Sequence, residues 1–313
     1  VSRHTADSEV LTIFTMDVEP VTSADGHTSG PATATEGAQR AREYADVLGD
    51  FGYCPTYFIH PEMAELQAEL FLELHDRGAG LGLHLHPPKF SEMPSQHELG
   101  GLTKDRQLEV ISAALAIFER HFGFHPRIFR PGCFSGNDST FSALHELGFD
   151  GGSISIPGRI WLERYCVWAG AEPHPHRGNA EFRQLPGQLP FVDIPLSVDR
   201  LGGLHSHPLG FQHYPDLRPG GVYSEEEDSG RDHLELLRHI IQQLAEDEPK
   251  LKTIVIDVHN DRSFSDPAKT SARQLRTILD NLKPELERFR LHPVSATIGD
   301  AIERFNEINR ESE

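Results

Sequence analysis

Two acids, Asp17 and Glu19, stand one residue apart at the end of a run that is otherwise apolar, "TIFTMDVEP" at residues 12–20. Two histidines, His84 and His86, close a second such run, "GLGLHLH" at 80–86. Side chains two residues apart on a strand project from the same face, so each pair would act together. Two imidazoles and one carboxylate form a common catalytic zinc set that leaves a position open for water. On residue type, one acid of the first pair binds a metal and the other handles a proton. Each pair also has a plainer reading. The acids can be turn residues before Pro20, and the histidines can be partly buried residues flanking a sheet.

Two further residues suit the same chemistry. "IFRPGCFSGND" sets Arg130 at the end of a short strand, where its guanidinium could grip Asp17 in a bidentate contact and keep it ionised, or form a structural salt bridge. "IVIDVHND" ends a strand on His259, whose neighbours Asp257 and Asp261 could orient the ring or raise its pKa for acid catalysis. The remaining H-x-H pairs, His174/His176 and His205/His207, lie in Gly- and Pro-rich sequence with His213. The latter pair and His213 could line a pocket or be exposed loop histidines. A thiol nucleophile at Cys133 is unnecessary beside a site that can hold a metal.

The elements that would position these residues alternate. Apolar runs at 10–16, 54–60, 80–86, 127–130, 191–197 and 253–259 read as strands. Helical patterns fill roughly 36–50, 61–77, 103–121, 137–147, 231–246 and 267–289, the last with Asp266 as its cap and Pro267 in its first turn. Repeated strand–helix units imply a parallel sheet covered by helices, whose strand ends share one rim. The expected fold is α/β, a distorted (β/α) barrel of about seven parallel strands in one domain over 1–313, with an elaborated loop region around 154–225. An open doubly wound sheet is the alternative, although no GxGxxG follows the first strand.

Acids outnumber bases 48 to 29, a net charge of −19. That argues against nucleic acid or an anionic membrane as the main partner. No apolar run approaches the roughly 18 residues of a membrane span. Three cysteines without CxxC spacing imply no disulfide framework. A cytoplasmic setting is the expectation.

The order "TMDVEP", "GLHLHP", "FRPG", "VDIP", "IDVH" resembles the polysaccharide deacetylase family, also called NodB-homology or carbohydrate esterase family 4. The resemblance implies that Asp17 is the catalytic base, Arg130 its brace and His259 the general acid. It makes His84 the first metal ligand. Val18 occupies the family's usual metal-Asp position, so Glu19 becomes the carboxylate ligand. Pro88 stands where the second histidine is usual, so His86 takes that role in an H-x-H-P motif. The Tyr of the third motif is missing.

These departures imply an atypical branch. The implied activity is metal-dependent hydrolysis, zinc being the favoured ion, of an N-acyl group on an amino sugar or polysaccharide. Alternatives are hydrolysis of non-sugar C–N bonds of the cyclic imide or ureide type, and a relative that binds metal or carbohydrate without catalysis. Trp161, Trp168, Tyr165 and Tyr214 are the candidate sugar-stacking aromatics, and whether they line a groove or pack inside separates the first two.

Overall fold

The computed structural model describes residues 8–21, 30–221 and 231–310. Strand–helix alternation opens the chain: β1 (Glu9–Val18), α1 (Ala34–Gly49), β2 (Pro55–Ile59), α2 (Pro61–Asp76), β3 (Gly80–Leu85), α3 (Lys104–Phe122), β4 (Ile128–Pro131), α4 (Thr140–Glu146) and β5 (Gly151–Gly152). Six short strands follow: β6 (Ile160–Trp161), β7 (Cys166–Val167), β8 (His176–Arg177), β9 (Val192–Asp193), β10 (His205–Ser206) and β11 (Gln212–His213). The chain then resumes its rhythm with α5 (His233–Asp247), β12 (Thr253–His259), α6 (Thr270–Glu287), β13 (His292–Ser295) and α7 (Ile298–Arg310).

The main sheet runs β12-β1-β2-β3-β4-β5-β9, seven parallel strands, with β8 antiparallel at the edge and β13 pairing the start of β1. Its far edges approach each other where Ser197 N donates to Val255 O at 3.3 Å and Val255 N donates to Ser197 Oγ at 2.9 Å. The result is a distorted (β/α) barrel. Nine of the ten residues of β1 are buried, as expected of a parallel strand covered on both faces. Helices lie against the sheet on amphipathic stripes and start on side-chain caps: Thr33 for α1, Thr103 for α3 and Asp232 for α5.

Two expectations need correction. Asp266 does not cap a helix at 267. Its carboxylate accepts from Ala268 N and its carbonyl from Lys269 N, a local turn that competes with helix, so α6 starts at Thr270. The C-terminal pair β13–α7 goes beyond the elements expected from the pattern. In the loop region, β10-β11-β6-β7 form a separate four-stranded sheet, and residues 154–221 carry no α-helix. No helix among the described residues is long and apolar enough to cross a membrane.

Candidate active site

Register brings the motifs together. Asp17 at the end of β1 pairs with His259 at the end of β12, and His84 on β3 pairs with Arg130 on β4. All four side chains are buried, as are Glu19 and His86. Because the strands are parallel, these ends share one rim.

At one pole, Glu19, His84 and His86 offer ligand atoms that lie within 4.8 Å of one another. His84 Nδ1 donates to the carbonyl of Arg130 at 3.0 Å, which can only accept, so Nε2 is left with a lone pair. That Nε2 is buried, has no hydrogen-bond partner, and sits 3.5 Å from Glu19 Oε1. His86 Nδ1 donates to Glu98 Oε1 at 3.0 Å, and its Nε2 lies 3.0 Å from the same Glu19 oxygen. Donors on a tetrahedral ion at about 2.0–2.1 Å stand roughly 3.4 Å apart, which these separations match. Burial opposes a charge on His86, yet Glu19 and Glu98 outweigh it and raise its pKa to about 9. The pole therefore favours a cation among these three donors. The residues fit a divalent metal.

The other pole handles protons. Arg130, fully buried, uses a single nitrogen: Nη1 donates to Asp17 Oδ1 at 2.9 Å, Asp257 Oδ1 at 2.6 Å and Thr15 Oγ1 at 2.8 Å. The expected bidentate grip on Asp17 is thus replaced by a bridge between two acids. The guanidinium carbon lies 4.3 Å from the centroid of Phe58 and 5.2 Å from that of Phe134, a cation–π setting for the buried charge. Burial pushes the Asp17 pKa up, but Arg130, then His84 and His259, hold it below the usual carboxylate value. Asp257 moves the opposite way, up to about 6, through burial and the nearby Asp17 charge.

His259 also departs from expectation. Burial, then Arg218, depress its pKa to about 3 rather than raise it. Asp257 is occupied by Arg130 and by Arg218 Nη2 at 2.9 Å, and Asp261 pairs with Arg262 at 2.5 Å. Neither acid is free to hold a proton on the ring. His259 still groups with Asp17 and Asp257, their ligand atoms all within 4.8 Å.

Sequence reasoning missed several partners. Glu98 orients His86 from a loop twelve positions away, with no periodic signal to mark it. Asn260 clamps the end of β1, its Oδ1 accepting from Glu19 N and its Nδ2 donating to Glu19 O. Lys89 Nζ lies 2.9 Å from Glu19 Oε2. Gly132 closes "FRPG". A Cβ there would fall 2.2 Å from His86 Nδ1, so only glycine leaves room for that ring. Cys133 follows at φ +53, and burial pushes its thiol pKa well up, which closes the thiolate reading.

The other candidates have partners of their own. His174 pairs with Asp247 at 2.8 Å, and His176 Nδ1 donates to His174 O. His205 is exposed, His207 stacks on Phe211, and His213 is buried with Nδ1 donating to Tyr214 O. Trp168 is fully buried and donates to Phe134 O at 2.7 Å; Trp161 is buried and stacked on Phe211. Tyr165 meets His97, and Tyr214 packs beside Gly158.

No family model matches the chain, and no curated protein matches it either. Solved structures do. A Mycobacterium smegmatis protein provisionally described as a polysaccharide deacetylase shares 17% identity at TM-score 0.61, covering 99% of this chain and 94% of its own. One from Pseudomonas aeruginosa PAO1, also provisionally described so, shares 12% at 0.59, covering 97% and 93%. The Puue allantoinase shares 13% at 0.58, covering 98% and 92%. At these identities the likeness establishes a common fold.

Proposed function

We propose that this chain is a metal-dependent amide hydrolase of the polysaccharide deacetylase kind, acting on an N-acyl group. The observation that carries the proposal is the meeting of a Glu19–His84–His86 donor set with the Asp17–Arg130 pair and His259 at one rim. The fold shared with proteins described as polysaccharide deacetylases supports it.

Glu19, His84 and His86 would hold the ion, with Glu98 fixing the His86 ring and Arg130 O fixing that of His84. Such an ion, zinc by donor type, supplies Lewis acidity toward a carbonyl and lowers the pKa of water. Asp17, ionised and held by Arg130, takes a proton from the attacking water. His259 stands neutral at pH 7, so the proton it delivers to the leaving amine must come from the reaction itself. Asp17, with a carboxylate oxygen within 4.8 Å of the ring, is the source through one bridging water. The proton passes from the attacking water to Asp17, through a bridging water to His259, and on to the amine nitrogen.

The test is metal content and amide hydrolysis, measured in wild type and Asp17→Asn. The variant should retain metal and lose turnover by about 10²–10⁴-fold. Loss of metal would make Asp17 a ligand and overturn the assignment.

An amino sugar is the first substrate class, and the packing of the tryptophans favours a second. Trp161 and Trp168 are both buried and offer no open stacking platform. A compact non-sugar C–N substrate, of the kind named for the allantoinase with this fold, suits that arrangement. Comparing turnover on N-acetyl sugars with that on cyclic ureides separates the two.

A further inference from the structure

The two oxygens of Glu19 keep different company. Oε1 faces both imidazoles, 3.0 Å from His86 Nε2 and 3.5 Å from His84 Nε2. Oε2 is taken by Lys89 Nζ at 2.9 Å. The lysine is brought there by "HPPK": after β3, residues Pro87–Lys89 make one 3-10 turn, closed by Lys89 N donating to His86 O at 2.9 Å. Two prolines fix the backbone of that turn, so the segment that delivers His86 to one oxygen returns Lys89 to the other. The Lys89 side chain is 15% exposed. A lysine this near the surface ordinarily keeps its ammonium in water, and folding it onto a buried carboxylate carries a desolvation cost.

Carboxylates bind cations through one oxygen or two. An oxygen already bonded to an ammonium is withheld from a metal, and the ammonium also draws charge from the oxygen that remains. We propose that Lys89 is a positioning residue that restricts Glu19 to single-oxygen ligation through Oε1, holding a coordination position open for water and substrate at the expense of metal affinity. The proposal rests on the metal-hydrolase reading above. It assigns opposite effects on binding and turnover to a single residue.

Lys89→Met and Lys89→Gln, with Lys89→Arg as the conservative control, are compared with wild type in three measurements. These are zinc affinity by chelator competition, the visible absorption of the cobalt-substituted protein, and kcat and KM at saturating metal. The expected result is zinc bound about tenfold more tightly in the Met and Gln variants, on the scale by which partners of metal ligands tune such sites. Cobalt absorption should fall severalfold as the ion gains a ligand oxygen. Turnover should fall about 10–100-fold with KM little changed, and Arg should restore both spectrum and kcat. Weaker or unchanged zinc binding, or an unchanged cobalt spectrum, would overturn the role of Lys89 while leaving the hydrolase reading intact. Tighter binding with undiminished kcat would make the lysine a placeholder for the ion and overturn it too. Wild-type protein that binds neither ion would sink the metal reading itself.

Discussion

His84 and His86 share their chain spacing with His205 and His207, and the two pairs meet opposite fates. At the end of β3, each ring has one nitrogen fixed by an acceptor, Arg130 O or Glu98, and the other aimed at a single Glu19 oxygen. On the small loop sheet, His205 Nε2 meets the carbonyl of Gly202, and His207 Nδ1 accepts from Leu209 N within its own hairpin. The rings there hydrogen-bond to local backbone, and the third group they share is another imidazole, His213, met by packing. Spacing makes two histidines neighbours. A site needs tautomers fixed from outside and a common target.

The largest way to break that contrast is at the ligands. Structural zinc sites bind with about 10–16 kcal/mol over four ligands, or about 3 kcal/mol each. His84→Ala or His86→Ala should therefore weaken metal binding by a hundredfold or more in chelator competition. Binding at wild-type affinity in either variant would remove the histidines from the coordination set. Glu98→Ala tests the control exerted from outside. It leaves the ligands in place and should cost about 10–100-fold in metal affinity.

Much of this rim was legible because strand ends are legible. Asp17, Glu19, His84, Arg130 and His259 each close an apolar run, and parallel strands deliver such ends to one side. Glu98 and Lys89 lie on a loop and a 3-10 turn, where no period marks a direction. The chain neighbours of His259 are not the groups that set its environment. Asp257 is claimed by Arg218, 39 positions earlier in the loop region, and the ring is left to burial. The last helix carried a signal that went unread: "TIGD", where Thr297 Oγ1 accepts from Asp300 N and Asp300 Oδ2 accepts from Thr297 N, is a reciprocal cap. Strand β5, two residues long, is too short to show any period, whereas β9 falls inside the apolar run at 191–197.

The loop sheet has one histidine under structural control, which sharpens the comparison through pH. His213 is buried, and burial outweighs the attraction of Asp216 to bring its pKa from 6.5 to about 4. A folded-state value below the unfolded one means that its contribution is complete above pH 6.5. That contribution is lost as pH falls toward 4. Between pH 7.5 and 5 the wild type should lose about 2 kcal/mol of stability from this residue. Denaturant titrations of His213→Gln at both pH values should show a difference smaller by that amount. Equal pH sensitivity in the two proteins would mean that the ring charges freely in the folded state.

The smallest expected effect is the most direct check on the contrast. His205→Ala and His207→Ala remove rings that hydrogen-bond to nearby backbone and pack on His213 and Phe211. Each should change stability by no more than about 0.5 kcal/mol, the usual range for a surface position away from special features. His207 is the stricter case, since its ring lies nearly parallel to Phe211 at 4.2 Å, and Phe211 in turn stacks on Trp161. If loss of that ring lowers kcat while metal content and melting temperature hold, the loop sheet touches substrate. The histidine pair there would then belong to the site through packing, without sharing any ligand role with His84 and His86.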